Sequence, residues 1–348
     1  MGVSRDDLRG KVQTVSGLID PADLGATLMH EHLLWDIRTP AMQDDPDQGP
    51  PLCPCTYFDI NYGSVKSPNN LVFFDRDIAI AEVARMKDAG GQAIVELSVG
   101  GLKPDPEGMQ AIAEATGVHI IMGSGHYVDE YQDPANRSRS VESFAGEIIA
   151  QITEGAWGTD IRAGIIGEIG CQSPWTDLEK RVMEGALIAQ RETGASLNVH
   201  PGRDEDQPQE VAEFIRPHGG DPSRTIISHI DRTISDEDKL FRLADTGVVI
   251  EFDLFGQEQS LYGLNLQFDL PNDAIRLRMI RRLIDRGHLD QIAISHDICY
   301  RSRLQHFGGH GYGHIFRNVL PLMRRRRFSE AEIQRIMVET PARLLAFV

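Results

Sequence analysis

Eight short apolar runs are spaced along the chain, each followed by a loop and then a stretch of helical periodicity. This alternation admits very few folds. The runs cover residues 26–30, 93–97, 119–123, 164–168, 196–200, 225–228, 248–252 and 292–295. Their shortness and unbroken apolar character suit strands covered on both faces. Residues 77–89 place Ile80, Val83, Ala84 and Met86 at helical spacing and stop at Gly90-Gly91. Residues 178–192 repeat the pattern with Val182, Ala186 and Ala189, ending at Gly194. Strands alternating with helices predict an α/β fold with a parallel sheet, either a closed (β/α)8 TIM barrel or an open doubly wound sheet.

The residues at the strand ends favour the barrel. His30 and His32 close the first run, Glu168 the fourth and His200 the fifth; His229 follows the sixth and Asp297 the eighth. An ionisable side chain at the end of a buried strand is costly without a partner, and a metal ion is the natural one. Only a closed barrel brings the ends of strands one, four, five, six and eight around one axis, at its C-terminal face. Residues two apart on a strand face the same way, so His30 and His32 point to that axis and Glu31 does not. Four imidazoles and two carboxylates suffice for two divalent ions, zinc first among them, with manganese, cobalt or iron as alternatives. A plain reading of Glu168 is a buried acid paired with an arginine. The glycines around it favour close approach of something large, and a carboxylate there can bridge two cations.

The remaining features bound the problem. The 348 residues read as a single domain, 1–348, with a small hairpin at residues 12–19 covering one end of the barrel. With 52 acidic against 35 basic residues the net charge is −17, a field that disfavours nucleic acid and anionic membranes as partners. The four-arginine run, 324–327, reads as a solvated helix end. No apolar targeting segment opens the chain and no run reaches membrane-span length, so a cytoplasmic location is expected. On the same ground Cys53, Cys55, Cys171 and Cys299 are expected as free thiols. Residues 36–75 are expected to form an ordered loop over the pocket, using Tyr57, Phe58, Tyr62, Phe73 and Phe74. The glycine-rich residues 308–313 are expected to form another pocket wall.

Taken together, these motifs resemble the phosphotriesterase family of the amidohydrolase superfamily, in its phosphotriesterase-related (resiniferatoxin-binding-like) branch. The resemblance runs through residues 25–32, 123–129, 228–232, 252–256, 295–297 and 341–343. It implies one metal held by His30, His32 and Asp297, a second held by His200 and His229, and Glu168 joining them. The phosphotriesterases proper use a carboxylated lysine at the bridge. Their proton-relay histidine and aspartate are replaced here by Leu254 and Arg232, which weakens any expectation of efficient phosphotriester hydrolysis. Two cations lower the pKa of a shared water from about 15.7 towards 7, so the implied activity is hydrolysis of a small ester, lactone or amide. Asp297 is the expected proton carrier. Tyr127, Arg232 and Arg301 are the expected substrate contacts, the arginines suggesting an acidic substrate group such as that of an N-acyl amino acid or N-acyl taurine. Phosphotriesterase or lactonase activity and non-catalytic ligand binding are the competing readings. A homodimer is compatible with the family.

Overall fold

The computed structural model describes residues 2–348. Eight parallel strands form its centre: β1 (Thr27–Glu31), β2 (Ala93–Glu96), β3 (His119–Met122), β4 (Ile166–Gly170), β5 (Leu197–His200), β6 (Thr225–Ile227), β7 (Val249–Phe252) and β8 (Ile292–Ile294). Seven helices alternate with them: α1 (Arg76–Asp88), α2 (Pro106–Thr116), α3 (Val141–Thr153), α4 (Asp177–Thr193), α5 (Gln207–Ile215), α6 (Glu237–Asp245) and α7 (Asp273–Asp285). Helical residues 315–325 and 330–345 complete the outer layer. The architecture is the (β/α)8 barrel.

The ladder is not uniform around the ring. Strands β4 to β8 form one continuous arc and β1 to β3 another. At one seam the Asp297 amide donates to the His30 carbonyl at 3.2 Å. At the other, Gly164 and Gly167 donate to the carbonyls of Met122 and Ser124 at 2.8 and 2.7 Å. Side chains add to the first seam. Glu31 accepts from Ser295 Oγ at 2.8 Å and from the amides of His296 and Ile298 at 2.9 and 3.0 Å.

Helix boundaries follow local chemistry. Asp75 caps α1 by accepting from the Ile78 amide. Thr176 and Glu179 form a reciprocal capping box on α4, and Gly194 ends that helix at φ 77°. Apolar side chains fill much of the strand core: Met29, Val95, Leu97, Ile165, Val249 and Ala293 are fully buried. The expected hairpin forms, with Val12–Thr14 antiparallel to Gly17–Ile19. Among the described residues, no helix is long and apolar enough to cross a membrane.

Three expectations need correction. Cys53 and Cys55 form a disulfide, and only Cys171 and Cys299 are free, both buried. The two Cα atoms, separated by one residue, lie 5.4 Å apart, a bridgeable separation. The segment after β1 is ordered, with Trp35–Asp36 paired to Val72–Phe73 and a helix at Tyr57–Tyr62. Yet its aromatics do not line the pocket: Phe58 is 72% exposed, and Phe73 packs on Trp35 with ring centroids 5.0 Å apart. Residues 308–313 are likewise absent from the pocket wall. Tyr312 instead turns inward and donates from its hydroxyl to the His32 carbonyl.

Candidate metal centre

The six strand-end residues converge. His32 Nε2 lies 3.3 Å from Asp297 Oδ1 and 3.5 Å from Glu168 Oε1. His30 Nε2 lies 3.6 Å from Glu168 Oε2 and 4.0 Å from Asp297 Oδ1. On the other side, His200 Nδ1 lies 2.8 Å from both Glu168 Oε2 and His229 Nε2. Glu168 therefore faces both groups. The donor atoms fall into two compact sets able to hold a metal, His30–His32–Asp297 and Glu168–His200–His229. His229 and Asp297 have φ values of 57° and 49°, the left-handed region that side-chain-bearing residues rarely adopt.

Outer contacts fix how the imidazoles are presented. Ser98 Oγ donates to Glu96 at 2.6 Å, which leaves it to accept from His32 Nδ1 at 3.0 Å. Ser228 Oγ donates to Glu251 at 2.7 Å and so accepts from His30 Nδ1 at 3.2 Å. His229 Nδ1 donates to Asp253 at 2.9 Å. All three rings thus commit Nδ1 to an outer partner and turn Nε2 inward, the nitrogen a metal ion would take. His200 is reversed: Nδ1 points inward, and Nε2 faces the Tyr127 hydroxyl at 3.4 Å. The grouping of His30 and His229 with Asp253 is a hydrogen-bonded support, because the same carboxylate also accepts the His229 amide at 2.9 Å.

The electrostatics ask for a cation. Burial pushes the His30 pKa down, but the negative charges of Glu168, Glu251 and Asp253 around it outweigh burial and hold it well above the imidazole range. Burial pushes Glu168 up, yet the charge of His30 and the contact with His200 hold it well below the carboxylate range. His200 is driven well below the ordinary value by burial and by the neighbouring His229. A proton on His30 thus stands where a metal ion would relieve the same negative field, and metal binding would displace it.

A family model described as the phosphotriesterase family matches residues 10–345. The chain belongs to the phosphotriesterase family. It is 39% identical over 345 residues to an N-acetyltaurine hydrolase of Salmo salar, covering 98% of this chain and 99% of that one. A resiniferatoxin-binding protein from Rhodobacter sphaeroides superposes with a TM-score of 0.91 at 32% identity, covering 99% of this chain and 98% of that one. An organophosphorus hydrolase from Deinococcus radiodurans superposes with a TM-score of 0.76 at 27% identity, covering 99% of both chains. The protein is a hydrolase of this family.

Beside the cluster of candidate metal ligands lies a pocket of about 270 Å³. Tyr127 and Arg232, two of the three expected substrate contacts, line it. Arg301 does not. Its guanidinium lies 4.6 Å over the Phe307 ring and donates to the Asn69 carbonyl at 3.3 Å. Arg301 and Arg303 share one tight turn of about three residues, so they point different ways, and Arg303 is the one that reaches the pocket. Arg203, three residues beyond His200, also lines it and escaped the sequence reading. The glycines flanking Glu168 serve the protein's own backbone. A Cβ on Gly167 would meet the Asn198 carbonyl, and one on Gly170 would meet the backbone of Tyr127 and Val128.

Asp253 is the main omission from the sequence reading. It directly follows the seventh apolar run, where the strand-end criterion would have found it. One oxygen meets His229 Nδ1 at 2.9 Å and the other lies 3.3 Å from His30 Nδ1, so one carboxylate supports an imidazole of each set. Asp253→Asn is expected to weaken metal affinity or turnover by about 10- to 100-fold while the protein stays folded. Metal titration of the chelator-treated variant, alongside its melting curve, checks this.

Proposed function

We propose that the protein is a binuclear metal-dependent hydrolase that cleaves the amide of a small N-acyl compound with an acidic head, N-acetyltaurine being the reference substrate. One observation carries the metal dependence. His30 Nε2 is fully buried without a hydrogen-bond partner, yet it faces Glu168 and Asp297. An orphaned imidazole nitrogen aimed at two carboxylates fits a divalent ion. His30, His32 and Asp297 would hold one ion, His200 and His229 the other, with Glu168 between them. The all-nitrogen-and-oxygen donor set suits zinc.

When bound, the ions supply Lewis acidity and an acidified water. The chain's own groups do the rest. The Asp297 side chain is 14% exposed against 2% for Glu168, so it is the more open of the two carboxylates that line the pocket. That position lets it take a proton and hand it to the leaving nitrogen. Burial, then the charge of Glu168, hold the Tyr127 hydroxyl well above its ordinary pKa, so it stays protonated and donates to the substrate oxygen. Ile37, Met42, Leu71 and Leu102 give the pocket an apolar side suited to a short acyl group.

The test is a metal analysis with a substrate panel. Roughly two ions per chain are expected, with N-acetyltaurine turned over faster than lactones or aryl phosphotriesters. Chelation should abolish the activity and added zinc should restore it. Full amide turnover by metal-free protein would refute the proposal.

A further inference from the structure

The pocket wall is cationic in a chain that is strongly acidic overall. Arg203, Arg232 and Arg303 all line it, and among the described residues none forms an ion pair with a carboxylate. Outside the candidate metal ligands, Glu130 is the one acid of that wall. The three guanidiniums are not equivalent. Arg232 is 3% exposed and already committed, donating to the Pro201 carbonyl and Thr233 Oγ1, with His200 Nε2 3.2 Å away. Arg303 donates to the Asp297 carbonyl at 3.2 Å and stacks 4.2 Å over the Tyr300 ring.

Arg203 alone keeps both terminal amino groups without a protein partner. Only its Nε is used, donating to the Tyr262 hydroxyl at 2.9 Å. Its own carbonyl accepts from the Asn265 side chain at 3.2 Å, so backbone and side chain are both held by the segment after β7. The preceding Gly202 amide is held by Gln207 Oε1 at 2.6 Å. A planar fork is thereby fixed in orientation, partly shielded from water, and left with its bidentate edge open. That edge matches two oxygens of a sulfonate or carboxylate.

We infer that Arg203 anchors the acidic head of the substrate and that Tyr262 positions it. The head sits on Arg203, the scissile amide lies against Glu168 and Asp297, and the acyl group fills the apolar side. This assignment rests on the proposed hydrolytic reading for the identity of the substrate. The anion site itself is testable without it.

Ethanesulfonate and propionate are titrated calorimetrically into the metal-loaded protein, into Arg203→Met and into Tyr262→Phe, with melting curves to verify folding. Arg203→Met is expected to weaken anion binding by roughly 10- to 100-fold, the worth of a charge-assisted bidentate contact. Tyr262→Phe should weaken it by about 3- to 10-fold, and Arg203→Lys should restore part of the loss as a point charge. In turnover, the kcat/KM ratio of N-acetyltaurine to the neutral N-acetylethanolamine should fall by a similar factor in Arg203→Met, through KM. Unchanged anion binding in Arg203→Met would put the anion on the metals and overturn the anchor, as would absence of anion binding to the parent protein. Failure of the parent to hydrolyse N-acetyltaurine, with anion binding still dependent on Arg203, would remove the hydrolytic reading and leave the anchor standing.

Discussion

Replacing Glu168 with alanine is expected to lower turnover by about 10³-fold or more and to leave the purified protein with fewer than two metal ions per chain. Glu168 is the side chain that faces both donor sets, with Oε1 3.5 Å from His32 and Oε2 2.8 Å from His200. It is 2% exposed, and the surrounding imidazoles keep it ionised. Alanine would leave four imidazoles to share the single carboxylate of Asp297, too little negative charge for two buried cations. Glu168→Gln separates shape from charge: it fills the same space and should still lose metal. Metal content by elemental analysis, read beside kcat, decides the matter. An alanine variant with two ions and full activity would end the bridging assignment.

The second large effect is expected at Asp297. Asparagine there should lower kcat by about 10²- to 10⁴-fold, the usual worth of a positioned proton acceptor, with a smaller loss of metal. The substitution is well suited to the site. Asp297 has a φ of 49°, and asparagine is among the few residues that tolerate that region. The backbone should hold, and the melting temperature should move little. Burial pushes the Asp297 carboxyl up, but the hydrogen bond from His32 and the charges of His229 and His30 outweigh it, so it stays ionised well below its ordinary range. Single-turnover kinetics with N-acetyltaurine give the chemical step directly. A variant keeping more than about a tenth of the parental rate would show that another group takes the proton.

Most of the barrel was legible because its strands are short, apolar and regularly spaced. The predicted runs meet the observed strands within two residues, as 164–168 does against Ile166–Gly170. The metal-ligand candidates were legible for a related reason: a costly ionisable residue at a strand end is visible without any contact being known. What failed depended on direction. Arg301 and Arg303 are indistinguishable in sequence, and a tight turn decides which one faces the pocket. Phe58 and Tyr62 looked like pocket aromatics but stack on each other at 5.6 Å, with Phe58 towards solvent. Arg203 was missed because its importance comes from Tyr262 and Asn265, roughly sixty positions away, and that pairing exists only once the chain has folded.

The interrupted strand ladder bears on how the barrel stays shut. Strands β1 and β8 belong to different arcs, and the backbone bond from Asp297 to His30 and the Glu31 carboxylate are what join them. An ion gripped by His30, His32 and Asp297 would rivet those arcs together, at the place where main-chain pairing is thinnest. The metal would then be a fastener as well as a reagent. Stripping it should loosen one edge of the cylinder before the rest, seen as faster amide hydrogen exchange in β1 and around residues 295–298 than in the continuous β5–β7 arc.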